Sequence, residues 1–470
     1  MISLNHFSKC PSVLKQPSRP NGSMPFCVDT RRYKHPSVFV AIPGVKVNPL
    51  DVISALLDQG CPVVVYQKNP ENDEKVQKLN AKYKSTEFIP VSDSVTFLQE
   101  YSHHHIKEWK ARDPKNTVFA ISGSNGKTTH KEMLSHILSS TFPGKVTSTE
   151  KNNNNHLGVP LTLFQVSPEM NFVVLELGSN HPGEIKVLCD IAGPNAGLTT
   201  NIGATHLEFF GTEKEVFLEE GLLYHAVKAE TNGNGFYLIN KDDPFLKTFQ
   251  KTNGTVSYGE NSEAEAKITF LDNGASIQYM GKTLTAKNDH ITGRHNKFNL
   301  ITCLFIATHF YPEREAKLIE AASTFKPTEN RSQWMSYEGK DVFLDAYNAN
   351  PSSMKAALLG FKDSLASKGI KPGDACVVLG DMYELGDSTA AYHEDVGRYV
   401  KELGFTHAYF IGRFSEFYKK GYPEGNSREG SAQFKDEYRS QCLKQYAIHF
   451  IKGSRGIQLE TLFDMKASTH

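Results

Sequence analysis

Lys127 and Thr128 are the first side chains in this sequence whose type and surroundings point to chemistry. They follow a run of small residues, Gly123–Gly126, which comes after an apolar stretch and before a helix-like pattern. A loop between a strand and a helix offers free backbone N–H groups at the positive end of the helix dipole. A lysine adds charge toward the β- and γ-phosphates of a nucleotide, and a hydroxyl can bind Mg²⁺. The segment therefore predicts a nucleotide-phosphate loop.

The loop is a shortened variant of the usual G-x-x-x-x-G-K-[ST] pattern. Ile121 stands where the first glycine is expected, and Gly123 supplies an alternative. A tight turn with a solvated lysine is the competing interpretation. The strand before the loop, the helix pattern after it and the Thr128–Thr129 pair favour phosphate binding.

Two further candidate side chains follow strand-like segments. Glu176 lies near the carboxyl end of the apolar stretch Phe172–Leu177, and His206 follows the strand-like residues 196–203. Ligands of open α/β sheets gather at the carboxyl ends of the strands. A charge inside an apolar run is costly unless it is paired or bound to a metal. We therefore consider both as metal ligands, against the alternatives of a surface glutamate and a structural histidine.

Strands and helices must hold these side chains in place, and the chain has the alternating pattern of α/β layers. Short apolar strands are expected at residues 37–44, 62–67, 340–347 and 374–381. Helix-like patterns at 49–60 and 351–369 lie between the members of each pair, and Gly60 can end the first. The first pair predicts a βαβ-like opening unit.

The length of 470 residues suggests two to four domains. Polar stretches at 110–116 and 324–333 are candidate joints. We expect three domains, at residues 1–112, 113–326 and 327–470.

The composition excludes several classes of protein. Lysine plus arginine balance aspartate plus glutamate, so no global charge favours nucleic acid or an anionic membrane. No apolar run is long enough to span a bilayer, and residues 1–20 contain no apolar core of a signal peptide. Seven cysteines without paired spacing predict reduced, buried thiols in the cytosol.

Eight segments, in order along the chain, resemble the Mur ligase family: SGSNGKTTHKEM, NNNNHLGVPLTL, LELGSNHPGEI, TNIGATHLEFFG, GRHNKFNL, NRSQW, DAYNANPSSM and LGDMYELG. The resemblance covers the chain from about Phe26 to about Val400. NNHLGVPLTL, NHPGEI and YNANPSSM resemble the member that adds D-Ala-D-Ala to UDP-MurNAc-tripeptide.

This resemblance implies an α/β fold with three domains. A central P-loop-type ATPase domain would be flanked by an N-terminal UDP-substrate domain and a C-terminal Rossmann-like ligase domain. The implied activity is that of an ATP-dependent, Mg²⁺-requiring amide ligase that makes an acyl phosphate during cytoplasmic peptidoglycan precursor synthesis. We expect the two small-molecule substrates as partners, no nucleic acid, no membrane span and a monomer.

The resemblance also implies a set of binding positions. Gly123, Ser124, Asn125, Gly126, Lys127, Thr128 and Thr129 would hold the ATP phosphates. Asn296, Arg331 and Asp345 would contact adenine, ribose and phosphates. The UDP end would meet Asp29, Thr30 and Arg31, and the peptide substrates would meet Asn154, Asn155, Asn348, Asn350 and Ser353. Thr128, Glu176, His206 and Glu220 would hold Mg²⁺, and the last three would form the catalytic set with Lys127.

The sequence departs from the family pattern at two places. Glu220 stands where the family has a lysine that is modified to a carbamate near the second metal ion. Its carboxylate could supply the oxygen that Mg²⁺ selects, and a helix-surface carboxylate is the alternative. Asn48, Pro49 and Leu50 replace three residues of a tetrad in the N-terminal domain, which leaves the uridine and sugar contacts open.

Three other functions remain open at this point. The chain could be another amide ligase of the family, including one acting on folate, or a P-loop ATPase whose hydrolysis drives a switch. It could also be a degenerate homologue that only binds a partner, although Lys127, Glu176 and His206 are all retained. The third residue of the acceptor peptide, diaminopimelate or lysine, is undetermined, and residues 401–470 carry no motif with recognisable chemistry.

Overall fold

The strands of the computed structural model, which describes residues 2–18, 22–44, 46–327 and 331–465, form four sheets. Three of these sheets follow one another along the chain, and helices lie between their strands. The α/β class and the three-domain arrangement are confirmed. Residues 1, 19 and 20 of the N-terminal stretch lie outside the described residues, and so do residues 328–330 of the second predicted joint.

The N-terminal part is built on a four-stranded parallel sheet of order β3-β4-β5-β6, beside the small antiparallel pair β1-β2. Its strands are β1 (Ile2–Ser3), β2 (Ser23–Met24), β3 (Phe26–Cys27), β4 (Val38–Ala41), β5 (Val63–Gln67) and β6 (Glu87–Val91). Its helices are α1 (Ser54–Asp58), α2 (Pro70–Lys82) and α3 (Ser94–Arg112). The strands expected at 37–44 and 62–67 are confirmed.

The helix expected at 49–60 is much shorter than predicted. A 3-10 turn covers Pro49–Asp51, and α1 begins only at Ser54. The side chain of Asn48 accepts the N–H of Leu50 and starts the turn, and Val52 then leaves helical geometry. Asparagine competes with helix formation in this way because its side chain bonds nearby backbone groups.

Helix α3 belongs to two hydrophobic cores. Near its start, Phe97 and Tyr101 pack with the strands of the four-stranded N-terminal sheet. Near its end, Ile106 and Trp109 pack with the strands and helices of the central sheet. The helix therefore joins the first two parts of the chain through buried apolar contacts.

The central sheet has nine strands in the order β15-β14-β13-β12-β11-β10-β7-β9-β8. They are β7 (Thr117–Ser122), β8 (Val146–Ser148), β9 (Phe172–Glu176), β10 (Ala196–Thr199), β11 (Phe236–Asn240), β12 (Thr255–Gly259), β13 (Ala266–Leu271), β14 (Gly274–Tyr279) and β15 (Lys282–Lys287). All neighbouring pairs are parallel except β13-β14 and β14-β15. Strand β7 lies between β9 and β10, so the carboxyl ends of these three strands meet at one edge.

Eight helices accompany the central sheet. They are α4 (Lys127–Thr141), α5 (Gly158–Leu163), α6 (Glu184–Ala192), α7 (Leu207–Phe210), α8 (Glu213–Glu220), α9 (Leu222–Glu230), α10 (Arg294–Phe310) and α11 (Glu315–Thr324). Helices α4, α10 and α11 cover one face of the sheet, and α6 and α9 cover the other.

The C-terminal part has a six-stranded sheet of order β16-β17-β21-β18-β19-β20, parallel except for β16. Its strands are β16 (Gln333–Tyr337), β17 (Lys340–Asp345), β18 (Ala375–Gly380), β19 (His407–Ile411), β20 (Asn426–Arg428) and β21 (Ile448–Lys452). Its helices are α12 (Pro351–Ser367), α13 (Thr389–Glu402), α14 (Ser415–Gly421), α15 (Ser431–Glu437) and α16 (Leu443–Gln445). The strands expected at 340–347 and 374–381, and the helix between them, are confirmed.

All seven cysteines are free thiols, six of them buried and Cys27 half-buried. They behave as the small apolar side chains that the sequence predicts. Among the helices of the described residues, none combines the length and the apolar character needed to cross a membrane.

Candidate active site

A cavity of about 730 Å³ lies at the carboxyl edge of the central sheet, where residues of the C-terminal part close over it. Fifteen of the residues predicted from the sequence line it: Ser124, Asn125, Gly126, Lys127, Thr128, Thr129, Asn154, Asn155, Glu176, His206, Asn296, Arg331, Asp345, Asn348 and Ser353. Residues that are hundreds of positions apart in the sequence therefore face a common space.

The phosphate loop joins β7 to α4, as predicted. Gly123 has a φ of 118°, and a Cβ atom there would lie 2.2 Å from Thr200 Oγ1, so only glycine fits. Gly126 has a φ of 79° and directly precedes the first turn of α4. The side chain of Asn201, in the segment that follows β10, accepts the N–H of Asn125 at 3.2 Å and supports the loop. The N-terminus of α4 is thereby presented to the cavity, which is the arrangement that binds phosphate.

Glu176 ends β9 and is buried beside the start of α4. Its Oε1 accepts the hydroxyl of Thr128 at 3.0 Å and the amide of Asn154 at 3.0 Å. Its Oε2 is buried and has no hydrogen-bond partner within the described residues. An unpartnered carboxylate oxygen beside a hydroxyl is a donor set that fits Mg²⁺, which prefers oxygen ligands.

His206 precedes α7 with a left-handed φ of 51°. Its Nδ1 lies 2.5 Å from Glu384 Oε2, in the segment after β18, and this contact lowers the pKa of Glu384. In the part of the chain that the structure describes, no three histidine, cysteine, aspartate or glutamate side chains are placed together to hold a metal. Glu176, His206 and Glu220 are therefore not gathered into one cluster.

Glu220 lies behind the phosphate loop and does not line the cavity. Its Oε2 accepts the N–H of Gly123 at 2.7 Å, and its Oε1 lies 3.9 Å from Lys127 Nζ. Burial raises the pKa of this carboxyl, and the charge of Lys127 opposes the rise. Since Glu220 is buried, it is not the helix-surface carboxylate of the alternative interpretation, and its metal role stays a prediction.

The C-terminal part closes the cavity from the opposite side. The guanidinium of Arg331 stacks at 3.7 Å on the ring of Tyr347. Asp345 Oδ2 accepts from Lys452 Nζ at 2.6 Å. Asn296, on α10, bonds the carbonyl of Thr292 at 3.1 Å.

Lys452 is a cavity residue that the sequence analysis misses. It is the last residue of the buried strand β21, and it lines the cavity although it is almost completely buried. A charge at the end of an apolar run is the signal that reveals Glu176, and the same signal is present in the segment IHFIK.

Asn350 has a structural role that couples two parts of the chain. Its side chain caps α12 by accepting the N–H of Ser353 at 2.9 Å. Its Nδ2 donates to Asn125 Oδ1 at 2.7 Å, and Asn125 Nδ2 donates to Ser352 Oγ at 2.9 Å. The phosphate loop is thus bonded directly to the start of α12.

Asp29, Thr30 and Arg31 do not line the cavity. Asp29 begins the short 3-10 turn Thr30–Arg32, and its carboxylate accepts from Arg31 Nε and Nη2, both at 2.9 Å. Their predicted contact with the UDP end of a substrate stays a prediction.

A second cavity of about 340 Å³ adjoins the first between α3 and α6. Asn155, His156, Gly178 and Glu184 line both cavities. Gln99 of α3 and Val187 of α6 close the far side. The two cavities together make an elongated groove that runs from the phosphate loop toward the N-terminal part.

Comparison with known proteins gives matches over nearly the whole chain. Residues 121–307 match the Mur ligase middle domain, and residues 330–447 match the model described as Mur ligase, glutamate ligase domain. The UDP-N-acetylmuramoyl-tripeptide–D-alanyl-D-alanine ligase of Haemophilus influenzae is 30% identical over 79% of this chain and 77% of its own length. The ligase of the same name from Bacillus subtilis is 26% identical over 92% of this chain and 91% of its own length.

The fold has a close counterpart among solved structures. MurF from Acinetobacter baumannii superposes with a TM-score of 0.79 at 23% identity, covering 98% of both chains. Because 98% of the chain is covered, the likeness includes most of the region after residue 400, for which the sequence offered no motif.

Proposed function

Because the chain belongs to the Mur ligase family, we infer that it is an ATP-dependent ligase that joins D-Ala-D-Ala to UDP-MurNAc-tripeptide in peptidoglycan precursor synthesis. The observation that carries the inference is the pairing of Thr128, at the start of α4, with a buried Glu176 whose second oxygen has no partner among the described residues. This pair stands at the N-terminus of a helix, where a triphosphate binds most readily.

The chemistry requires that a carboxylate be made reactive. A free carboxylate repels nucleophiles, and its oxygen is a poor leaving group. Transfer of the γ-phosphoryl group of ATP to a carboxylate oxygen releases ADP and gives an acyl phosphate. The amine of D-Ala-D-Ala then attacks the acyl carbon, the C–N bond forms, the C–O bond to phosphate breaks, and the amine loses its proton.

The residues of this chain would act mainly by position and charge, as is usual for phosphoryl transfer. Loop N–H groups and Lys127 Nζ would hold the phosphates. Thr128 and Glu176 would hold Mg²⁺, which when bound neutralises phosphate charge. Lys452 and Arg331 would close the site from the C-terminal part and exclude water from the acyl phosphate.

The shape of the groove supports an elongated acceptor substrate. The cavity of about 340 Å³ extends from the main cavity toward α3 of the N-terminal part. A UDP-linked peptide with its nucleotide near Asp29–Arg31 would reach the phosphate loop along this groove. Asn155 and Glu184 lie where the two cavities meet and would contact the peptide.

We propose that the reaction takes place in the cytoplasm, where the seven free thiols stay reduced. A monomer suffices for the proposed site, because a single chain supplies all the residues named above.

Phosphate release tests the proposed function. With Mg·ATP, release should require both UDP-MurNAc-tripeptide and D-Ala-D-Ala, and mass spectrometry should detect the UDP-MurNAc-pentapeptide. Release that occurs without either substrate would indicate an ATPase or switch. Release that requires another amino acid would indicate a different ligase of the family, and no release with any substrate would indicate a degenerate homologue.

A further inference from the structure

Two consecutive glutamates, Glu219 and Glu220, are buried at the end of α8. Buried carboxylates are uncommon unless they are paired. Glu219 accepts the backbone N–H groups of Gly183 and Ile185 at the start of α6, both at 2.7 Å. Glu220 accepts the N–H of Gly123, the first residue of the phosphate loop, at 2.7 Å. Each glutamate therefore holds a different loop beside the groove.

The main chain of Glu220 is anchored behind the phosphate loop. Its carbonyl oxygen accepts the hydroxyl of Ser122 at 2.9 Å and the hydroxyl of Thr199 at 3.3 Å. These two residues end β7 and β10. Because these hydrogen bonds fix the main chain of Glu220, its side chain has little freedom to move the carboxylate into the cavity.

Lys127 is the only described lysine or arginine within 4.0 Å of the Glu220 carboxylate, with Nζ and Oε1 3.9 Å apart. The same Nζ also donates to the carbonyl of Gly123. Glu220 and Gly123 therefore both draw the lysine head group toward the back of the loop. A nucleotide phosphate in the cavity would have to draw it forward.

We propose that Glu220 is a positioning residue, an internal anion that holds Lys127 and the first loop amide until nucleotide phosphate displaces the lysine. The inference rests on the proposed function, since it assumes that the loop binds a nucleotide. Two charges at this separation in a partly buried site attract each other appreciably, so the pair competes with phosphate for the lysine. The competition lowers nucleotide affinity, and it favours release of ADP after the reaction.

The variant Glu220→Gln separates the charge from the hydrogen bond. Glutamine keeps an oxygen that can accept the N–H of Gly123, but it cannot attract the Lys127 ammonium. Calorimetric titration with ADP, without divalent cations, should show affinity roughly tenfold tighter than that of the wild type. The gain should disappear in a Lys127→Gln background, because the lysine is then no longer available to either anion.

Glu219→Gln is the matched control. Glu219 is also buried, but its carboxylate accepts the N–H groups at the start of α6 and has no contact with Lys127. Its ADP affinity should change by less than about twofold. Should Glu220→Gln fail to fold in a thermal scan, Glu220→Asp replaces it. The aspartate side chain is one methylene shorter, so its carboxylate should lie farther from Lys127 Nζ. The gain in ADP affinity should then be smaller than in Glu220→Gln.

Unchanged or weaker ADP binding by the folded Glu220 variant would overturn the proposal, and so would a gain that persists without Lys127. An equal gain in Glu219→Gln would also overturn it, because the effect would then not depend on the contact with Lys127. A different failure concerns the proposed function: no ADP binding by any variant or the wild type, even with Mg²⁺, would show that the loop holds no nucleotide.

Discussion

At the residue scale, Lys127 is the residue through which the phosphate loop brings a full positive charge to the main cavity. Lys127 lines the main cavity at the first position of α4, and its head group lies behind the loop between Gly123 and Glu220. No other lysine of the described residues in the phosphate loop or in α4 lines this cavity. The loop amides alone would hold a phosphate, but they supply no full positive charge to the oxygen that leaves.

We predict that Lys127→Ala abolishes ligation while the fold is retained. Removing a preorganised positive group from a transition state typically costs roughly 10²–10³-fold in rate, and we expect a loss at or beyond that range. Phosphate release in the presence of both substrates measures the effect, and circular dichroism checks the fold. Lys282→Ala, an exposed lysine on the far edge strand of the same sheet, is the control. Turnover above one tenth of the wild-type rate would contradict the role assigned to Lys127.

The residues that line the cavity could be predicted in part from the sequence. The loop glycines, Lys127 and Glu176 could be predicted, because a helix start and a charge at a strand end are local signals. Lys452 was missed although it ends an apolar run, because the run alone does not show that this lysine faces the cavity or pairs with Asp345, which is 107 positions away in the chain. The bond between Asn125 and Asn350 was equally invisible, because it spans 225 positions.

At the element scale, α12 carries the connection between the phosphate loop and the C-terminal sheet. The helix begins with a capping box in which the Asn350 and Ser353 side chains bond each other's backbone groups. The Asn350 amide also reaches Asn125 in the phosphate loop. A single side chain therefore satisfies the helix end and fixes the position of the helix against the loop.

We predict that Asn350→Ala lowers the free energy of unfolding by about 1 kcal/mol, the usual cost of losing such a cap. Loss of the bond to Asn125 should also raise the KM for ATP, because the helix no longer holds the loop. Urea unfolding and steady-state kinetics measure the two effects. Ser367→Ala, at the exposed end of the same helix, should leave both unchanged. An effect on KM without any loss of stability would contradict the capping role.

Some of the elements were predicted from the sequence, and the residue pattern of each segment explains which ones. The parallel strands β4, β5, β9, β17 and β18 are apolar runs and were predicted as such. The antiparallel extension β13–β15 received no prediction, although Asp272 and Asn273, between β13 and β14, are residue types that are common in hairpin turns. Its strands mix polar and apolar residues because they lie at the edge of the sheet, where one face stays exposed.

At the scale of the whole molecule, buried histidines lie in the N-terminal, central and C-terminal parts, and burial strongly lowers the pKa of four of them. Burial is the largest cause that lowers the pKa of His6, His130, His393 and His449 to about 4 each. Their pKa in the unfolded chain is about 6.5. Below this value the unfolded chain binds protons that the folded chain does not bind until about pH 4. The stability that these four neutral histidines contribute is therefore complete at neutral pH and is lost as the pH falls toward 4.

We predict that the urea midpoint falls steadily between pH 7 and pH 5. Each fully buried histidine contributes at most about 2 kcal/mol over this interval. His449→Phe should flatten the pH dependence, because this histidine is completely buried in β21 and its Nδ1 has no partner in the described chain. Equal midpoints at pH 7 and pH 5 for the wild type would contradict the prediction.

The predicted domain limit at residue 112 coincides with the end of α3, and this helix has a consequence for any attempt to divide the protein. Dividing the chain after Arg112 removes Ile106 and Trp109 from the hydrophobic core at the central sheet. Dividing it before Ser94 removes Phe97 and Tyr101 from the hydrophobic core at the N-terminal sheet. Either fragment would expose an apolar surface and would tend to aggregate. Recombination that exchanges the N-terminal part between relatives must therefore carry a matching helix, so that substrate recognition and nucleotide chemistry are inherited together.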